Sequence, residues 1–216
     1  MAGLDPQGAN ITSTIALFPA QVTTGFAGRR DASGTPSSSF TALFVISLIG
    51  GALGALLLLK TPSDMFTALV PWLVLFATLV FAWGSFLRKV SDSPKRLSSL
   101  AAGSLQMGIA IYGGYFGGGI GILMLAALTL SGLALKNAGA TKNVLAGVIN
   151  SSAVFIFIFL HDVAWKQAAI VAIAATAGGQ VGAYALPRVN DRVMRICIVF
   201  LGLGLTVGLF VHYHSG

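Results

Sequence analysis

Ten residues, Tyr112 to Gly121, hold six glycines: Tyr112-Gly113-Gly114-Tyr115-Phe116-Gly117-Gly118-Gly119-Ile120-Gly121. Each glycine in a helix interior costs roughly 1 kcal/mol relative to alanine, so this stretch breaks whatever helix enters it. The broken ends can do chemistry. The first turn of a helix that resumes near Gly119 offers unpaired N–H groups and the positive end of a macrodipole, a combination that favours an anion. Glycines there let backbone approach a ligand closely. Some 20 residues on come Thr141, Asn143 and Asn150, neutral hydrogen-bonding side chains. Asn143 and Asn150 are two turns apart and so share one helix face. Tyr112 adds a hydroxyl. Together these groups suit an oxyanion held by neutral donors, although polar residues in apolar helices also serve as interhelical glue.

Other chemistry finds no residues to carry it. A dinucleotide loop needs a strand before the glycines and an acid roughly 20 residues later. The next acid after Gly121 is Asp162, about twice that distance away. The chain has six Asp and no Glu, none at the centre of an apolar run, so paired-carboxylate catalysis is unsupported. His161, His212 and His214 fall at the ends of runs and form no metal-ligand pattern. No enzyme, cofactor or metal is expected.

The elements that must position the site are membrane helices. Hydrophobic residues make up 56% of the chain and charged residues 9%, with a mean hydropathy of +0.86. Soluble domains carry roughly 25% charge. Thirteen Lys and Arg give a net charge of +7, but they sit between apolar runs, as loops on the inner face of a membrane do, so no nucleic-acid partner is expected. One cysteine, Cys197, excludes an intrachain disulfide. The first ten residues lack a basic n-region and show no cleavable signal.

The pattern predicts six full spans: Ile11–Gly28, Phe40–Leu59, Met65–Leu87, Ala138–Leu160, Lys166–Ala185 and Val193–Val211. The first carries too many Thr, Ser and Gln residues to face lipid. Between the third and fourth lie two arms, Leu97–Ile111 and Ile120–Ser131, each too short to cross alone.

Two blocks recur. Ala9-Asn10-Ile11-Thr12 is matched by Ala138-Gly139-Ala140-Thr141, an offset of 129, and Gly50-Gly51-Ala52-Leu53-Gly54-Ala55 by Gly178-Gly179-Gln180-Val181-Gly182-Ala183, an offset of 128. The chain thus reads as a first repeat over residues 1–90, a basic linker at 91–96 and a second repeat over 97–216. Thr12, Thr14 and Gln21 become the counterparts of Thr141, Asn143 and Asn150 and are expected to complete the cavity. No counterpart of the glycine-rich element precedes Gly3, so the first repeat reads as incomplete.

Charge decides the path of the broken element. Were it to cross once, the basic residues would divide seven to six between the two faces. Were it to return to its own side, they divide eleven to two, with only Lys60 and Lys166 on the minority face. The second is what the positive-inside rule requires. The expected fold class is therefore all-α: a polytopic transmembrane bundle of two inverted repeats, with six spans and a glycine-broken re-entrant hairpin, as in many secondary transporters.

The block Gly113 to Gly121 with Gly132-Leu133, then Ala138-Gly139-Ala140-Thr141-Lys142-Asn143 and Gly178-Gly179-x-x-Gly182-Ala183, resembles the second repeat of the TauE/SafE family of sulfite and organosulfonate exporters. The region from Gly3 to about Leu87 resembles that family's first repeat without its opening glycine-rich segment, and the proline that often follows the glycine block is replaced here. The resemblance implies a multi-pass carrier of the bacterial inner membrane, with a small sulfur-containing anion as substrate. Gly117, Gly118, Gly119 and Gly121 are the expected backbone ligands, with Tyr112, Thr141, Asn143, Asn150, Thr12, Thr14 and Gln21 around them. Beyond the anion and the lipid bilayer, a homo-oligomer is the remaining partner considered. The rival expectation is a membrane subunit or scaffold that transports nothing.

Overall fold

The computed structural model describes residues 5–84, 98–185 and 191–215. They form eight α-helices and no sheet: α1 Pro6–Gly28, α2 Phe40–Lys60, α3 Ser63–Ala82, α4 Ser99–Tyr115, α5 Ile120–Leu130, α6 Leu135–Leu160, α7 Trp165–Ala185 and α8 Asp191–Ser215. Each expected apolar run falls on a helix within the described residues, residues 85–87 and 97 of two of them lying outside these. The largest shift at a start is at α1, which begins at Pro6, where a proline lacking its N–H is tolerated because that donor has no helical partner. The basic linker at 91–96, with Arg88, Lys89 and Arg188, lies outside the described residues.

Among the described residues, α2, α3 and α6 are each long and apolar enough to cross a membrane. At 1.5 Å per residue, α4 extends about 25 Å and α5 about 16 Å, both short of a roughly 30 Å hydrocarbon core.

The chain divides into two compact units. One takes Met1–Leu17, Thr61–Arg88 and Val163–Gly216. Within it α3 packs on α8, with Gly202 seated against Thr78 and Trp72 meeting Phe210 edge-on at 5.1 Å. Its start is tied down where Gln7 donates to the Thr61 carbonyl and Ser63 donates to Asp5 at 2.6 Å.

The other unit takes Phe18–Lys60 and Lys89–Asp162 and holds the glycine turn. Apolar burial cannot drive helices together in lipid, whose tails are as apolar as leucine, so close packing has to do it. The α2–α4 seam is built that way. A Cβ on Gly54 would run into the Ile111 carbonyl, and one on Gly114 into the Gly51 carbonyl, so the two backbones touch. Buried beside this seam, Gln106 Nε2 donates to Ser47 Oγ at 2.8 Å and fixes the register. Beyond it, Leu43, Ile109, Ile120, Met124, Leu145 and Ile149 form a core from α2, α4, α5 and α6.

Candidate anion-binding site

The turn between α4 and α5 is set by its glycines. α4 ends as the Phe116 N–H bonds the Tyr112 carbonyl at 2.9 Å, and the chain then turns through Gly117 at φ 77° and Gly119 at φ 76°. Both lie in the left-handed region, which costs an L-residue with a Cβ about 1–2 kcal/mol. Gly119 is the N-cap of α5, and its carbonyl accepts from Ile122 at 3.0 Å and Leu123 at 3.3 Å. Gly118 answers a different constraint, because a Cβ there would stand 2.6 Å from the Phe116 ring.

These contacts leave the N–H groups of Gly118, Gly119, Ile120 and Gly121 without an acceptor among the described residues. Over the open side of Gly121 lies Lys142, whose Nζ is 3.7 Å from where a Cβ on Gly121 would stand. Lys142 is half-buried and meets no carboxylate among the described residues, where the ion pair joins Lys136 to Asp31 at 3.2 Å. A lysine ammonium beside the positive end of a helix is repelled by it unless an anion lies between them. Backbone donors without acceptors among the described residues thus lie in a turn whose last glycine, Gly121, has Lys142 beside it, and the chemistry such a combination suits is binding a small oxyanion.

Lys142 was not among the residues expected to bind. Its signal was present in the sequence, as the only charged residue within the predicted span Ala138–Leu160, and an ionisable group inside a span is by default a functional one. Charge counting used it only as a marker of topology.

The other expected residues are placed less uniformly. Tyr112 is one turn before the glycine turn, its ring edge-on to Phe116 at 6.0 Å. Asn143 follows Lys142 and is half-buried, with no hydrogen bond to its side chain among the described residues. Thr141 is fully buried, and its hydroxyl accepts from the Ser33 N–H at 2.9 Å and donates to the Ser33 carbonyl at 3.1 Å. Asn150 is also buried and donates to the Ala146 carbonyl of its own helix at 3.1 Å. Gln21 lines an apolar cleft of about 310 Å³ between α1 and α6, with its Oε1 buried and lacking a donor among the described residues. Thr12 and Thr14 belong to the first-described unit; Thr12 is buried and Thr14 donates to the Asn10 carbonyl at 2.9 Å. Among the described residues no group of three or more His, Cys, Asp or Glu side chains could hold a metal.

Searches among curated proteins and among solved structures return no match. The sequence profile described as "Sulfite exporter TauE/SafE" matches residues 1–210, nearly the whole chain. With that coverage, and with the apolar helices the family requires, the protein is a multi-pass membrane transporter rather than an enzyme and belongs to the TauE/SafE family.

Proposed function

We propose that this protein exports a small sulfur-containing oxyanion, sulfite or an organosulfonate, across the bacterial inner membrane, and that the anion binds at the N-terminus of α5. The observation that carries this reading is that the four N–H groups of Gly118 to Gly121 have no acceptor among the described residues, while Gly121 has beside it an ammonium, Lys142, with no carboxylate partner among the described residues. The donors are backbone, so they are already oriented when the anion arrives. The charge of Lys142 offsets that of the anion in surroundings where neither is fully hydrated. Asn143, next to Lys142 in the chain, and Tyr112, one turn before the glycine turn, are the further hydrogen-bonding groups of this reading.

The transport cycle is alternating access between two inverted halves. Its support is the element order: α1 starts 129 residues before α6, and α3 starts 128 before α8, the offsets of the recurring sequence blocks. The hairpin α4–α5, whose arms are both too short to span, is the re-entrant element that delivers the glycine turn to membrane depth.

Sulfite flux into proteoliposomes tests the site. A hydrogen bond to a charged group is worth roughly 1.5–3 kcal/mol, so Lys142→Gln is expected to weaken anion binding about ten- to a hundredfold, with Lys142→Arg closer to the parent. Flux and half-saturation unchanged in Lys142→Gln would refute the placement.

A further inference from the structure

We propose that Thr141 is a positioning residue for transport: by clasping Ser33 it locks α6 against α5 and so holds Lys142 at Gly121. The inference rests on the reading of Lys142 and Gly121 as the anion site. It assigns Thr141 a role different from ligand binding. A threonine hydroxyl has one hydrogen to donate, and that of Thr141 is given to the Ser33 carbonyl, leaving none for an anion.

The clasp joins distant parts of the chain. Residues 29–39, which link α1 to α2, form a strap across the corner where α5 turns into α6. Pro36 lies against Gly132, just after α5, its Cγ 3.4 Å from where a Cβ would stand. Ser33 takes both bonds of Thr141, two turns into α6. Asp31 pairs with Lys136 on the first turn of α6 at 3.2 Å. The strap is itself stiff. Thr35 and Ser38 bond each other reciprocally at 2.8 and 3.2 Å, and a Cβ on Gly34 would stand 2.7 Å from Phe40 N and from the Ser38 carbonyl. It therefore holds α6 and the connection by which α5 runs into it. Lys142 is the next residue after Thr141, so the backbone that carries the ammonium is the backbone the clasp holds. Of the three strap contacts, the one at Thr141 involves a fully buried side chain, so a hydroxyl lost there is less readily replaced by water than at the exposed Asp31–Lys136 pair.

The test separates half-saturation from maximal flux for sulfite in proteoliposomes. Thr141→Val keeps the shape and removes the hydroxyl, and is expected to raise half-saturation about tenfold while maximal flux stays within about twofold. Thr141→Ser keeps the hydroxyl and is expected to stay close to the parent. A Thr141→Val protein with unchanged half-saturation overturns the proposal, as does a Thr141→Ser protein impaired to the same extent, which would assign the effect to the lost methyl. Should Thr141→Val fail to fold, Asp31→Lys repels Lys136 and lifts the strap from its exposed end. It is expected to raise half-saturation, with recovery in the charge swap Asp31→Lys/Lys136→Asp; no rise, or no recovery, overturns the proposal. Lys142→Gln, run alongside, distinguishes the two failures. If it leaves half-saturation unchanged, the site and the clasp both fall; if it raises it and Thr141→Val does not, only the clasp falls.

Discussion

Gly119 concentrates the demands on this site in one residue. It is left-handed, it caps α5, and its N–H is among the four without an acceptor among the described residues. Gly119→Ala forces a Cβ into that conformation and should cost about 1–2 kcal/mol, read as a lower thermal midpoint in detergent. Asparagine visits the left-handed region more readily, so Gly119→Asn should recover part of the loss. If the two variants melt alike, the backbone argument fails. At this scale the sequence was a good guide to glycine and a poor one to hydroxyls and amides. A glycine's reason is local: a turn or a helix cap announces itself in neighbouring residues. Thr141 looked like a ligand because nothing near it in the chain reveals that its partner is Ser33, 108 residues away. Asn150 looked available because helical spacing gives the direction of a side chain but not whether its amide bonds its own helix, as it does at Ala146.

The α2–α4 seam raises a different question at the scale of the element. Gly50, Gly51 and Gly54 stand out in the sequence as part of a recurring block, and membrane helices need such small residues to approach. Which helix they receive was not legible, because repeat and hydropathy patterns carry no pairing information. The contact is backbone on backbone, so no side chain can move aside to accept an added methyl. Gly54→Ala should destabilise by at least the roughly 1–3 kcal/mol usual for overpacking. Gly108, also in α4, has nothing within 4 Å of a Cβ. Gly108→Ala should therefore be neutral or stabilising by up to about 1 kcal/mol through helix propensity. Thermal unfolding of the two variants side by side checks this, and similar losses at both positions would count against the seam. The helices themselves were readable because a run of some 20 apolar residues admits few alternatives in a membrane. The ends moved by a few residues where caps, rather than hydropathy, decide them.

For the whole molecule, the proposed re-entrant path makes a prediction that composition alone could not. Ser99 opens α4 and Ala134 precedes α6, so a hairpin puts both on one face of the membrane. With the exposed native thiol removed as Cys197→Ser, Ser99→Cys and Ala134→Cys should react with a membrane-impermeant maleimide from the same side. Labelling from opposite sides would mean that α4 and α5 together cross. Family membership and the helical plan were within reach of the sequence, because both are written in blocks of neighbouring residues. The strap was not, because its sequence reads only as a Gly-, Ser- and Pro-rich connection.

That strap also breaks the equivalence a duplication would suggest. Eleven residues separate α1 from α2, whereas four separate α6 from α7, the corresponding connection of the other half. Under the proposed inversion these two loops would lie on opposite faces, and among the described residues the α1–α2 loop carries a clasp, an ion pair and a proline wedge. A transport cycle that opened this face by parting the strap from α6 would have to undo them, with no matching cost at the shorter loop. An empty carrier would then spend unequal time in its two orientations before any gradient acts, and loop length would decide on which side it waits.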